Sequence, residues 1–181
     1  MRPVRVLSTA LGLALAALAG PAEALEPRFD HRDTHGVFAE MLAAYATVAR
    51  SGEPSVSAWR PALRAGWGFD LTGDGDELLV AAAAALRWPD DGDGMDVLFA
   101  ADARYRGYFG TEELKTFFDV GVWVPVHERL AIGPLIGVGL QWDFGRGGGL
   151  YAATSLATAF GEARIASLQI SAGAQLRFDL P

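Results

Sequence analysis

Apolar and polar side chains alternate with a period of two along most of this chain. Between Thr116 and Val126, Phe118, Val120, Val122, Val124 and Val126 share one face, while Asp119, Gly121 and Trp123 share the other. Successive side chains of a β-strand point to opposite sides, so the pattern describes a wall between two environments. Leu130 to Asp143 repeats it: Leu130, Ile132, Pro134, Ile136, Val138, Leu140 and Trp142 oppose Ala131, Gly133, Gly137, Gly139, Gln141 and Asp143. Only His127 to Arg129 separate these two runs, which predicts a tight hairpin.

The other segments follow the same rule with less contrast. Trp59, Pro61, Leu63, Ala65, Trp67, Phe69 and Leu71 oppose Arg60, Arg64, Gly66, Gly68 and Asp70. Leu78, Val80, Ala82, Ala84, Leu86 and Trp88 oppose Leu79, Ala81, Ala83, Ala85 and Arg87. Val97, Phe99, Ala101, Ala103 and Tyr105 oppose Asp96, Asp102, Arg104 and Arg106. Ala166, Leu168, Ile170, Ala172, Ala174, Leu176 and Phe178 oppose Ser167, Gln169, Ser171, Gly173, Gln175 and Arg177. Leu150 to Phe160 is weaker. Val37 to Val48 is weaker still: its Phe38-Ala39…Met41-Leu42-Ala43-Ala44 run suits strand or helix, and as a strand it places Glu40 on the polar face. About eight such segments, separated by Gly, Asp or Pro clusters, predict an all-β fold: a closed antiparallel up-and-down transmembrane β-barrel over residues 36–178.

Two features set the compartment. Arg2 and Arg5, an apolar stretch from Leu7 to Ala19, and the small-x-small site Ala22-Glu23-Ala24 predict a signal peptide over residues 1–24, followed by a polar tail over 25–35. Nothing after Leu25 has the roughly 18 uninterrupted apolar residues of a spanning helix, yet 51% of the chain is hydrophobic, high for a soluble protein carrying 20% charge. The chain contains no Cys, so neither a disulfide nor a lipid anchor on a cysteine is expected. Loss of Arg2, Arg5 and Glu23 takes the formal charge from −7 to −8, which disfavours nucleic acid and anionic lipid surfaces as partners.

Alternation alone does not say which face points inward. An interior of eight-strand size would be overpacked by Trp59, Trp67, Trp88, Trp142 and Phe118, whereas the reverse assignment puts Gly, Ala and compact polar groups inside. It also places Trp59, Trp88, Tyr105 and Trp142 near strand ends, where aromatic girdles meet membrane interfaces. The inward set then carries Glu40, Asp70, Asp96, Asp102, Asp119 and Asp143 against Arg60, Arg64, Arg87, Arg104, Arg106 and Arg177, equal in number. Confined charges must be paired or hydrated, so this set predicts an interior ion-pair network. Its two readings are a filled structural lumen and a narrow or gated pore.

With Ala65-Gly66-Trp67-Gly68-Phe69 and Gly137-Val138-Gly139-Leu140-Gln141-Trp142 added to the signal and the alternating segments, the chain resembles the small outer-membrane barrels of OmpA or OmpX type over about residues 36–178. The resemblance implies a bacterial outer-membrane location, lipid as the surroundings, and assembly by the outer-membrane insertion machinery, which commonly reads a terminal aromatic. Here Phe178 is followed by Asp179-Leu180-Pro181, a departure from that pattern. With both termini periplasmic, the outer loops would be residues 51–58, 89–94, 127–128 and 161–163, short for the family.

Candidate chemistry is sparse. The acidic turns Thr72 to Glu77 and Asp90 to Asp96 hold alternating Asp and Gly, which can wrap a hard cation, but neither completes an EF-hand loop and both suit ordinary turns. His31 and His35 fall in the polar tail. His127 merits attention because lipid A deacylases are barrels using a His and a nearby Ser, but no Ser stands near it in sequence. Gly145 to Gly149 with Arg146 lacks the Lys and following helix of a phosphate loop. The expectation is a non-enzymatic outer-membrane barrel with no cofactor and no metal. The alternatives are a soluble periplasmic lipocalin-like barrel around an apolar ligand and a lipid-modifying barrel enzyme.

Overall fold

The computed structural model describes residues 35–52, 55–71, 76–87, 95–109, 113–127, 129–144, 147–161 and 164–179. The expected signal peptide, most of the polar tail including His31, Trp88, residues 72–75 and 90–94 of the acidic turns, and Gly145-Arg146 lie outside them. Eight strands follow in chain order: β1 (His35–Arg50), β2 (Val56–Asp70), β3 (Glu77–Arg87), β4 (Asp96–Phe109), β5 (Leu114–His127), β6 (Arg129–Phe144), β7 (Gly148–Gly161) and β8 (Ile165–Asp179). Each pairs antiparallel with the next, and β8 pairs with β1 from Gly36↔Asp179 to Arg50↔Ile165, so the sheet closes on itself. Closure leaves no unpaired sheet edge, the condition for a β-structure to stand in hydrocarbon.

The segment that suited strand or helix is a full strand. β1 pairs on both sides, with β2 and with β8, because Phe38, Glu40, Leu42, Ala44 and Ala46 point inward while Ala39, Ala43 and Tyr45 stay exposed. Strands also reach past their expected ends. β2 begins at Val56, inside the stretch expected to be an outer loop, and β3 begins at Glu77, the last residue of an expected acidic turn.

Apolar side chains cover the outside. Leu63, Val80, Val122, Ile132, Ile136, Val138, Leu156 and Ile170 are all exposed. Aromatic residues bracket this band. Tyr45 packs edge-on against Trp59 near the mouth opposite the termini, while Trp67 stacks on Phe69 and Trp142 meets Phe144 near the terminal rim. Exposing so much apolar area to water costs roughly 25 cal/mol per Å², a cost that vanishes in a bilayer. The strands have 11 to 16 residues, enough to cross the hydrocarbon when tilted.

Glycines tighten the wall at particular points. A Cβ on Gly66 would lie 2.1 Å from the Val80 carbonyl oxygen, so only glycine permits that approach of β2 to β3. At the cross-strand pair Phe117↔Gly139 the Phe117 ring lies where a Cβ would be, 2.4 Å from its Cζ. The aromatic thus covers the glycine, a device that pins register. Gly147 adopts φ 79° at the entry to β7, where its carbonyl accepts the Arg177 N–H at 2.6 Å.

Candidate functional site: the charged lumen

The inward faces hold the polar chemistry. Arg64 on β2 donates from Nη1 to Glu40 Oε2 on β1 at 2.8 Å, and from Nε and Nη2 to both oxygens of Asp102 on β4 at 3.1 and 2.7 Å. Arg104 bridges onward, donating to Asp102 Oδ1 at 2.7 Å and to Asp119 Oδ2 on β5 at 3.0 Å. Arg106 closes the run with two bonds to Asp119, at 2.8 and 2.9 Å. The result is a chain of alternating charges, Glu40–Arg64–Asp102–Arg104–Asp119–Arg106, whose formal charges cancel. Two of its contacts are forked guanidinium–carboxylate pairs, the geometry that gives such pairs both strength and direction.

A second group lies nearer the terminal rim. Glu77, fully buried, is bonded by Arg177 of β8 from across the barrel. The Tyr108 hydroxyl stands 3.4 Å from Glu77 Oε2 and from Gln141 Oε1, and Gln141 Nε2 donates to Asp143 Oδ1 at 2.6 Å. Lys115 completes the group with its Nζ 2.8 Å from Asp143 Oδ2 and 4.2 Å from the centre of the Tyr108 ring. Rings also fill the space beside the charges, since Arg64 lies over Phe38 and Arg106 over Phe117, at 4.9 and 4.0 Å from the ring centres. Cation–π contact lets an aromatic wall accept a guanidinium that has left water.

Of the charges expected inside, Glu40, Arg64, Asp102, Arg104, Arg106 and Asp119 form the first group, and Asp143 and Arg177 belong to the second. Arg87 pairs with Asp96 near the mouth opposite the termini, apart from both groups. Arg60, also near that mouth, makes no ion pair with a described residue; Arg87 and Arg50 are charged neighbours of it among the described residues. Asp70 sits at the terminal end of β2, half-buried. The sequence reading missed Glu77 and Lys115. Glu77 stands directly beside an Asp-Gly turn and was assigned to it, yet it is the first residue of β3, and period-two extension back from Leu79 places it inside. Lys115 follows equally from period-two extension back from Phe117.

Among the described residues no group of three or more His, Cys, Asp or Glu side chains is placed to hold a metal ion. Asp76, at the turn before β3, bonds the Tyr105 hydroxyl and accepts the Tyr108 N–H at 3.3 Å, an anchor for the rim.

No family model matches the sequence, and no curated protein does. Solved structures match the fold. Neisserial surface protein A superposes with a TM-score of 0.62 at 15% identity, over 78% of this chain and 97% of that one. Ail, the attachment invasion locus protein of Yersinia pestis, gives 0.51 at 12% identity over 79% and 99%. The N-terminal β-barrel domain of Pseudomonas aeruginosa OprF gives 0.51 at 15% identity over 79% and 97%. With eight antiparallel strands in sequential order around a closed wall, the chain has the fold of the small outer-membrane β-barrels.

Proposed function

We propose that this chain is a non-enzymatic integral protein of a bacterial outer membrane whose lumen is closed by its own ion pairs, so that it serves as a structural barrel and not as a channel. The observation that carries the reading is the charge-neutral run from Glu40 to Arg106, which ties β1, β2, β4 and β5 together across the interior. Eight strands leave an interior just wide enough for side chains, and Phe38, Phe117 and these pairs occupy it. The outer surface supports lipid as its surroundings, and insertion by the outer-membrane assembly machinery follows from that location. A lipocalin-like reading would need the large apolar groups inside around a cavity, whereas Trp59, Trp67, Trp142 and Ile136 face out.

The test is electrical. Full-length mature chain, refolded and inserted in a planar bilayer, should give no conductance steps above the leak of the bare lipid. Arg64→Ala combined with Asp119→Ala, which removes two links of the run, should produce intermittent openings. Stable openings of the unaltered protein would contradict the closed-lumen reading and favour a narrow pore.

A further inference from the structure

The outer wall is not ribbed evenly. Across β1, β2 and β3 one row of outward positions is Ala39↔Ala65↔Ala82, and the next row toward the terminal rim is Val37↔Trp67↔Val80, with Phe178 of β8 beside Val37. On the mouth side of the alanines stand Met41 and the exposed Leu63. Short side chains between two bulkier rows leave an open groove of 750 Å³ on this face. Gly66, at the close approach of β2 to β3, lies in its floor, and the lining is almost wholly apolar. On β5, β6 and β8, by contrast, Val120, Val122, Ile136, Val138 and Ile170 stand out from the wall as exposed branched side chains.

We infer that this groove holds one acyl chain of a phospholipid from the leaflet beside the terminal rim. Hydrocarbon already surrounds the wall, so apolar burial favours no occupant and close packing decides. A gap along the wall forfeits dispersion contacts, and a chain lying in it restores them. The groove falls within the roughly 300–1,000 Å³ of cavities that hold small molecules. One end lies at Trp67 and Phe178, where Trp67 stacks on Phe69, with exposed His35 opposite Phe69 at the start of β1. Aromatic rings of this kind sit at headgroup level, so a chain enters the groove with its headgroup at the rim. A second copy of the barrel packs less well there, because a two-fold contact sets the groove against itself and enlarges the void. The site requires that the outer wall meet lipid and is independent of whether the lumen conducts.

Palmitoyl-oleoyl phosphatidylcholine is the probe. Full-length mature chain is refolded in vesicles of this lipid, released into detergent and weighed intact by native mass spectrometry, its folded state being checked by the gel-mobility shift on boiling. One retained phospholipid per barrel is expected. Retention should fall about tenfold or more in Ala65→Leu/Ala82→Leu, which fills the groove with side chains that lipid tolerates. Ala152→Leu, at an outward alanine of β7 outside the groove, should leave retention unchanged. A folded barrel that carries no phospholipid overturns the inference, as does equal retention by the folded Ala65→Leu/Ala82→Leu protein. A dimer that disappears when the groove is filled assigns the groove to a second copy and overturns it too. Protein that never enters the vesicles contradicts the lipid-facing wall itself, a failure told apart by its absence from the vesicle fraction.

Discussion

Arg64→Ala should lower the stability of the refolded barrel by about 3–5 kcal/mol, read as a shift of the urea unfolding midpoint in lipid vesicles. Arg64 is nearly inaccessible, and its removal leaves Glu40 without its ion pair and Asp102 with Arg104 alone. The large cost comes from the uncompensated charge, since a buried pair that is intact adds little beyond its own desolvation. Adding Glu40→Gln restores neutrality in the run and should recover a substantial part of the loss. A shift below about 1 kcal/mol for Arg64→Ala would show pairs that behave as though immersed in water.

Ile136→Arg should be nearly as damaging, for the opposite reason. Ile136 lies midway along β6, faces outward, and is flanked by Val120 on β5 and Leu156 on β7. In a bilayer an arginine at mid-depth on the lipid face costs about 2–4 kcal/mol. On a barrel standing in water the same exposed position would tolerate arginine within about 0.5 kcal/mol. Equilibrium unfolding in vesicles therefore distinguishes the two environments through a single side chain.

How much of this was legible in the sequence varies by strand and by level. β5 and β6 could be read outright because Val and Ile alternate there with Gly, Asp and Gln, so each face has one chemistry. β1 blurred because its inward half near the mouth is itself apolar, with Leu42, Ala44 and Ala46 buried beside outward Met41 and Ala43. In a narrow lumen small apolar residues serve both faces, and the alternation that reports a strand disappears. Glu77 was hidden by its neighbours, since Gly73-Asp74-Gly75-Asp76 reads as a turn whatever follows.

The inward register of the charged residues on the strands could be read from the alternation, but their partners could not. Arg64 reaches past β3 to Asp102, and Arg177 meets Glu77 at a separation of 100 residues. Such choices depend on the stagger with which eight strands close, a property of the whole ring and not of any segment.

The central claim, that the Trp-rich face meets lipid while the charged face encloses the lumen, is tested most directly by tryptophan fluorescence. Single-tryptophan variants retaining Trp67, Trp142 or Trp123 are reconstituted with lipids carrying bromine on their acyl chains, the other tryptophans being replaced by Phe. Trp67 and Trp142 are exposed on the outer face and Trp123 points inward, so the first two should be strongly quenched and the third spared. Quenching of Trp123 with Trp67 and Trp142 spared, or a protein that stays in solution with none quenched, would contradict it.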